Sequence, residues 1–136
     1  MSDKTYRIFI VDDESESVDM LTDMISDRGH SLEPFTDPYQ ALQHFINCPA
    51  NIVITDLCMP NIDGFEMIRR MRERSMTTEF IVITGNKNIQ SVFQSRILGV
   101  TFLLFKPIKM KMLLSAIDGV IDRDRYWESK LEEIRN

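Results

Sequence analysis

The stretch Asn51-Ile-Val-Ile-Thr-Asp-Leu-Cys-Met-Pro-Asn-Ile-Asp-Gly64 decides how this chain is read. A run of strand-forming residues ends in a carboxylate, Asp56, and passes at once into a turn marked by Pro60 and Gly64. A carboxylate cannot enter a core without a partner, so Asp56 either caps an exposed strand end or meets a cation there. Proline and glycine lead the chain from the strand into the next helix and leave the Asp56 side chain at an open rim. A calcium loop over Asn61, Asp63 and Gly64 fails as a reading. Aligning Gly64 with the loop glycine puts Met59 at the first ligand position and Arg70 at the last.

The same alternation of apolar run and helical spacing recurs on both sides of this stretch. Arg7 to Val11 is a short apolar run, followed by Val18, Leu21, Met24 and Ile25 at helical steps and a stop at Gly29. His30 to Phe35 is a weaker strand candidate. Asp37-Pro38 then offers an N-cap carboxylate and a first-turn proline for a helix burying Ala41, Leu42, Phe45 and Ile46. Beyond the opening stretch, Phe65, Ile68 and Met71 form a helical stripe and Phe80 to Ile83 a fourth strand. Ile89, Val92, Phe93 and Ile97 follow on a helix, then Val100 to Phe105 as a fifth strand and a last helix after Pro107. Strands apolar on both faces and separated by helices imply a parallel sheet covered on both sides, a doubly wound α/β domain. In such a fold the functional crevice lies beyond the carboxyl ends of the strands.

Those ends carry Asp12-Asp13-Glu14, Asp56, Thr84-Gly85 and Lys106-Pro107. Clustered carboxylates repel one another unless a cation neutralises them, and a hard divalent ion such as magnesium suits oxygen ligands. With such an ion bound, Asp56 can stay ionised and act as a nucleophile toward phosphorus. The Lys106 ammonium and Thr84 hydroxyl are suited to the phosphoryl oxygens.

Four short segments, Val-Asp-Asp-Glu at 11–14, the run from Thr55 to Gly64, Ile-Thr-Gly at 83–85 and Phe-Lys-Pro at 105–107, resemble the motifs of the receiver domain of two-component response regulators. The resemblance covers about residues 5–121. It implies a flavodoxin-like fold with a five-stranded parallel sheet, and transfer of a phosphoryl group from a histidine kinase or histidine phosphotransfer protein to Asp56. It also implies Asp12, Asp13, Asp56 and the Cys58 carbonyl as magnesium ligands, Thr84 as the switch hydroxyl, Lys106 as the phosphoryl-binding lysine, and a cis Lys106–Pro107 bond. The chain departs from the family pattern at Leu103, where receivers usually carry an aromatic ring that moves on activation. Val100 replaces a small residue, and Cys58 and Asn86 hold two positions that tune phosphoryl lifetime in this family. Two further function classes stay open at this point: a receiver-like interaction module that works without phosphorylation, and a small phosphatase turning over an aspartyl-phosphate.

The 136 residues, 43% of them hydrophobic and 27% charged, describe one ordinary globular domain. A net charge of −5 without a basic cluster speaks against a nucleic-acid surface. No apolar run reaches the roughly 20 residues of a membrane span. The N-terminal segment lacks an apolar signal core, and Cys48 and Cys58 form no disulfide framework, so a cytoplasmic location is expected. His30 and His44 lie away from the strand-end motifs, and the methionines read mostly as core or gap-filling residues.

Residues 1–121 are expected to form the receiver domain and 122–136 a helical extension. Leu113, Ile117, Val120, Asp124, Trp127, Leu131 and Ile134 recur at steps of four and three, a heptad seam with one polar interruption. Two readings of the extension stand: a solvent-facing tail, or a helix that forms a homodimer or links to an output domain. The surface of the fourth helix, fifth strand and fifth helix is the other candidate homodimer face.

Overall fold

The computed structural model describes residues 4–60 and 62–135. Residues 1–3 and 136, the outer ends of the two expected segments, and Asn61 lie outside them. The strands are β1 (Arg7–Val11), β2 (Ser31–Phe35), β3 (Ile52–Asp56), β4 (Glu79–Thr84) and β5 (Phe102–Phe105). They alternate with helices α1 (Ser15–Ile25), α2 (Pro38–Asn47), α3 (Gly64–Arg74), α4 (Ile89–Ile97) and α5 (Met110–Arg135). The sheet is parallel, in the order β2-β1-β3-β4-β5.

Strand alternation divides the core into two layers. Ile8, Ile10, Ile52, Ile54, Ile81 and Ile83 face one side, where Val18, Leu21 and Ile25 of α1 and Leu113, Ile117 and Val120 of α5 cover them. Phe9, Val11, Val53, Phe80 and Val82 face the other, against Ala41, Leu42 and Phe45 of α2 and Met67, Ile68 and Met71 of α3. Each large aliphatic or aromatic side chain so buried contributes on the order of 1.5–3 kcal/mol. Pro34 is accommodated because β2 is an edge strand. The start of α2 uses the expected chemistry, Asp37 accepting a hydrogen bond from the Tyr39 N–H, and at the start of α3 Asp63 accepts likewise from the Glu66 N–H.

One residue of the α2 stripe and the whole α4 stripe do not face the way their periodicity suggested. Ile46 on α2 is exposed. On α4 the inward residues are Ser91 and Ser95, while Ile89, Val92, Phe93 and Ile97 point outward, with Ile97 81% exposed. Periodicity reports that a helix has an apolar stripe but not where the stripe points. At α4 the small serines occupy the buried side. Among the methionines, Met67 and Met71 are core residues as expected, whereas Met20, Met110 and Met112 are exposed.

Candidate functional site

Strand order reverses between β1 and β3, and the chain ends of these two strands open a crevice at that point. Asp12 and Asp13 follow β1, and Asp56 closes β3. Their carboxylate oxygens all lie within 4.8 Å of one another, with Asp12 and Asp56 buried and Asp13 exposed. Lys106, just past β5, places its ammonium 3.0 Å from Asp56 Oδ2 and 3.6 Å from Asp12 Oδ2. Asp12, Asp13, Asp56 and Lys106 therefore meet where the strand-end reading put them, and Thr84 closes the neighbouring strand β4, its carbonyl accepting the Lys106 N–H at 2.9 Å.

The backbone fixes Asp56 from the other side. Its Oδ1 accepts hydrogen bonds from the N–H groups of Leu57 at 2.7 Å and Cys58 at 3.2 Å. These bonds exist because the chain turns sharply after β3, with the Gly64 N–H donating to the Leu57 carbonyl at 3.1 Å. Gly64 is needed for that approach. A Cβ there would stand 2.5 Å from the Asp56 carbonyl oxygen and 2.9 Å from Leu57 Cα.

Burial pushes the Asp12 carboxyl above its ordinary range, and the neighbouring charges of Asp56 and Asp13 add to the shift. The Glu14 N–H and the Lys106 ammonium oppose it without cancelling it. For Lys106, burial works against the charge, but the hydrogen bond and charge of Asp56, helped by Asp12 and Glu14, outweigh it and raise the pKa. One ammonium, paired with two of three carboxylates, leaves the site acidic. Three hard oxygen donors on one rim are a donor set that suits a divalent cation such as magnesium.

Thr84 is fully buried, and its hydroxyl oxygen accepts the Asn86 N–H at 3.1 Å. The Asn86 side chain reaches across the crevice, its Nδ2 donating to Cys58 Sγ at 3.0 Å. The sequence marked both positions but gave no sign that they touch, since the contact depends on two loops separated by 28 residues. The Lys106–Pro107 bond is cis, as the resemblance implied. Leu103 packs toward the α2–α3 layer and Phe102 toward the α1–α5 layer, as alternation required. Phe105 lies under the Lys87 ammonium, 5.8 Å from its ring centre. Both histidines stand apart from the site: His30 accepts the Tyr6 N–H, and His44 packs on Phe35.

Comparison with known proteins meets this geometry. Over 106 residues the chain is 30% identical to the sensor protein EvgS of Escherichia coli K12, a match covering 78% of this chain and 9% of that protein. It is 23% identical over 127 residues to the transcriptional regulatory protein TrcR of Mycobacterium tuberculosis, covering 93% of this chain and 49% of TrcR. The chain thus spans half or less of these curated relatives. The fold superposes on a CheY-like receiver domain protein from Methanospirillum hungatei with a TM-score of 0.85 at 22% identity, covering 90% and 98% of the two chains. Chemotaxis protein CheY4 of Vibrio cholerae superposes with a TM-score of 0.79 at 24% identity, covering 86% and 99%. The sequence model of the response regulator receiver domain matches residues 8–118, a span that runs from β1 into α5 and contains every strand-end residue described above. With the parallel sheet, the acidic rim and the lysine all within that span, the chain belongs to the response regulator receiver domain family of two-component systems.

Proposed function

We propose that Asp56 is the phosphoacceptor of this receiver, and that residues 4–121 form the receiver unit from which the last turns of α5 project. The observation that carries this reading is the position of the Asp56 carboxylate, held by two backbone N–H groups on one oxygen and by Lys106 on the other. A carboxylate so fixed needs no reorientation to attack phosphorus.

An Asp56 oxygen forms the new O–P bond as the P–N bond of a phosphohistidine breaks, and the imidazole leaves with the electron pair. Lys106 holds one phosphoryl oxygen and the Thr84 hydroxyl, whose proton is not engaged by Asn86, donates to another. Asp12, Asp13, Asp56 and the Cys58 carbonyl would hold magnesium, which supplies charge neutralisation at the phosphoryl oxygens. The donor is a histidine kinase or a histidine phosphotransfer protein. Beside Asp12 and Lys106 a cleft of about 190 Å³ opens between Met20, Pro107 and Ile108, and its apolar lips fit a helix carrying the phosphohistidine. Phosphorylation shifts the surface of α4, β5 and α5, which includes the outward apolar face of α4, and so changes affinity for an output domain or a separate protein.

The complete acidic cluster and its lysine favour phosphorylation over binding alone. The domain is regulatory, so its turnover is its own modification and reversal. Incubation with phosphoramidate and magnesium, read on a phosphate-affinity gel, is expected to show one slower band that accumulates to most of the protein and, after the donor is removed, decays as phosphate is released. Rapid release of phosphate over many turnovers with no accumulated band would assign it to the phosphatases instead, and an unshifted band with no phosphate released would leave only an interaction module.

A further inference from the structure

The underside of the sheet, opposite the acidic rim, carries a cleft that the receiver chemistry does not use. It holds about 340 Å³ and is walled on one side by Val120, Asp124, Trp127 and Leu131 of α5. These four stand at steps of four, three and four, so the heptad seam faces this cleft. Leu113, Ile117 and Val120 of the same seam are buried against the domain's own core. Past Val120 the domain falls away. Trp127, Leu131 and Ile134 are then 59%, 52% and 82% exposed.

Asp124, the polar interruption, marks where the helix leaves the body. Its carboxylate accepts from the Tyr6 hydroxyl at 2.8 Å and pairs with Lys4 at 3.0 Å, and Lys4 also pairs with Glu128 at 2.9 Å. Arg123 reaches Glu79 at 3.3 Å. These contacts fix the direction of the projecting helix, so its open seam is presented in a set orientation beneath the sheet.

A seam of this period is filled by another helix of the same period, and the body restricts how that helix can lie. It cannot follow the seam above Val120, because the domain already occupies that side. A parallel second copy would bring its own upper helix to that place and collide with the body. An antiparallel copy has its body beyond the opposite end, and only the two projecting segments overlap. The charges beside the seam agree. With the overlap of the two projecting segments centred between Leu131 and Glu132, antiparallel pairing sets Glu128 opposite Arg135 of the second copy, twice by symmetry, whereas parallel pairing sets Lys130 opposite Arg135. We infer that the chain forms a two-fold dimer through antiparallel contact of its α5 extensions, each end seated under the partner's sheet against Trp127 and Leu131.

This inference does not depend on phosphorylation of Asp56. Sedimentation equilibrium of the chain over a wide concentration range is expected to show a monomer–dimer equilibrium. Leu131→Glu, at a half-exposed position that leaves the fold's core intact by circular dichroism, should raise the dissociation constant about tenfold or more, since two leucines lose their burial. Glu128→Arg should weaken the dimer, and adding Arg135→Glu should restore it. The restoration separates the contact from the Lys4–Glu128 pair, which Arg135 does not touch. A monomer at every concentration, a dimer indifferent to Leu131→Glu, or a double variant no better than Glu128→Arg alone would each overturn the inference.

Discussion

Lys106 Nζ lies 3.0 Å from Asp56 Oδ2, although 50 residues of chain separate them. The pair joins the ends of β3 and β5, strands that are not neighbours in the sheet, since β4 runs between them. The ammonium thus reaches across the crevice and stands where the oxygens of a phosphoryl group on Asp56 would be. Replacing Lys106 by Met keeps most of the volume and removes the donor. The expected result is phosphorylation by acetyl phosphate slowed about 10²-fold or more with Asp56 still the modified residue, measured by time-resolved mass spectrometry.

Gly64→Ala tests how tightly the turn after β3 holds the acceptor. The added Cβ meets backbone at 2.5 and 2.9 Å, and backbone cannot swing aside as a side chain end can. The substitution should destabilise the domain by about 1–3 kcal/mol in urea unfolding and slow phosphorylation, because Asp56 must shift.

Ser95 on the inward side of α4 has a buried hydroxyl with no hydrogen-bond partner, alone in this among the described residues. Ser95→Ala removes an unsatisfied group and leaves a methyl that fills nearly the same space. It should stabilise the protein by about 1 kcal/mol, read as a higher urea midpoint with an unchanged slope.

Tyr6 and Lys4 make stability fall in alkali. Burial first, and the Asp124 carboxylate second, push the Tyr6 phenol up to about 12. An unfolded tyrosine ionises near pH 10, so above that point the unfolded chain has lost a proton the folded one keeps. Burial opposes the charge on Lys4, but its bonds to Glu128 and Asp124 raise the pKa overall. Its contribution is likewise complete below the unfolded value and is lost as the pH rises. Urea midpoints measured from about pH 9 to about pH 12 should therefore decline through the upper half of that range. Asp124→Asn should flatten the decline and bring tyrosinate absorbance in at lower pH.

Much of this was legible in the sequence because strand ends are easy to locate. A run such as Ile52 to Thr55 that stops at a carboxylate states both the strand and the end that faces the crevice, and Asp12, Thr84 and Lys106 repeat the pattern. What stayed hidden was phase and loop contact. Val92 and Phe93 have the spacing of a core stripe, yet the buried positions of α4 went to Ser91 and Ser95. The Asn86–Cys58 bond and the close approach of Gly64 to Asp56 depend on how two loops settle, which no periodicity encodes. Asp124 read as a flaw in a heptad seam, and the structure gives its reason: Tyr6 and Lys4 meet it where α5 leaves the domain.

The measurement that bears most directly on the proposed chemistry is the intact mass of the protein after incubation with acetyl phosphate, with and without magnesium, beside the Asp56→Asn variant. A single phosphoryl adduct that forms only with magnesium and only in the native protein is the predicted result. An adduct of equal yield in Asp56→Asn, or none in either protein, would contradict Asp56 as the acceptor.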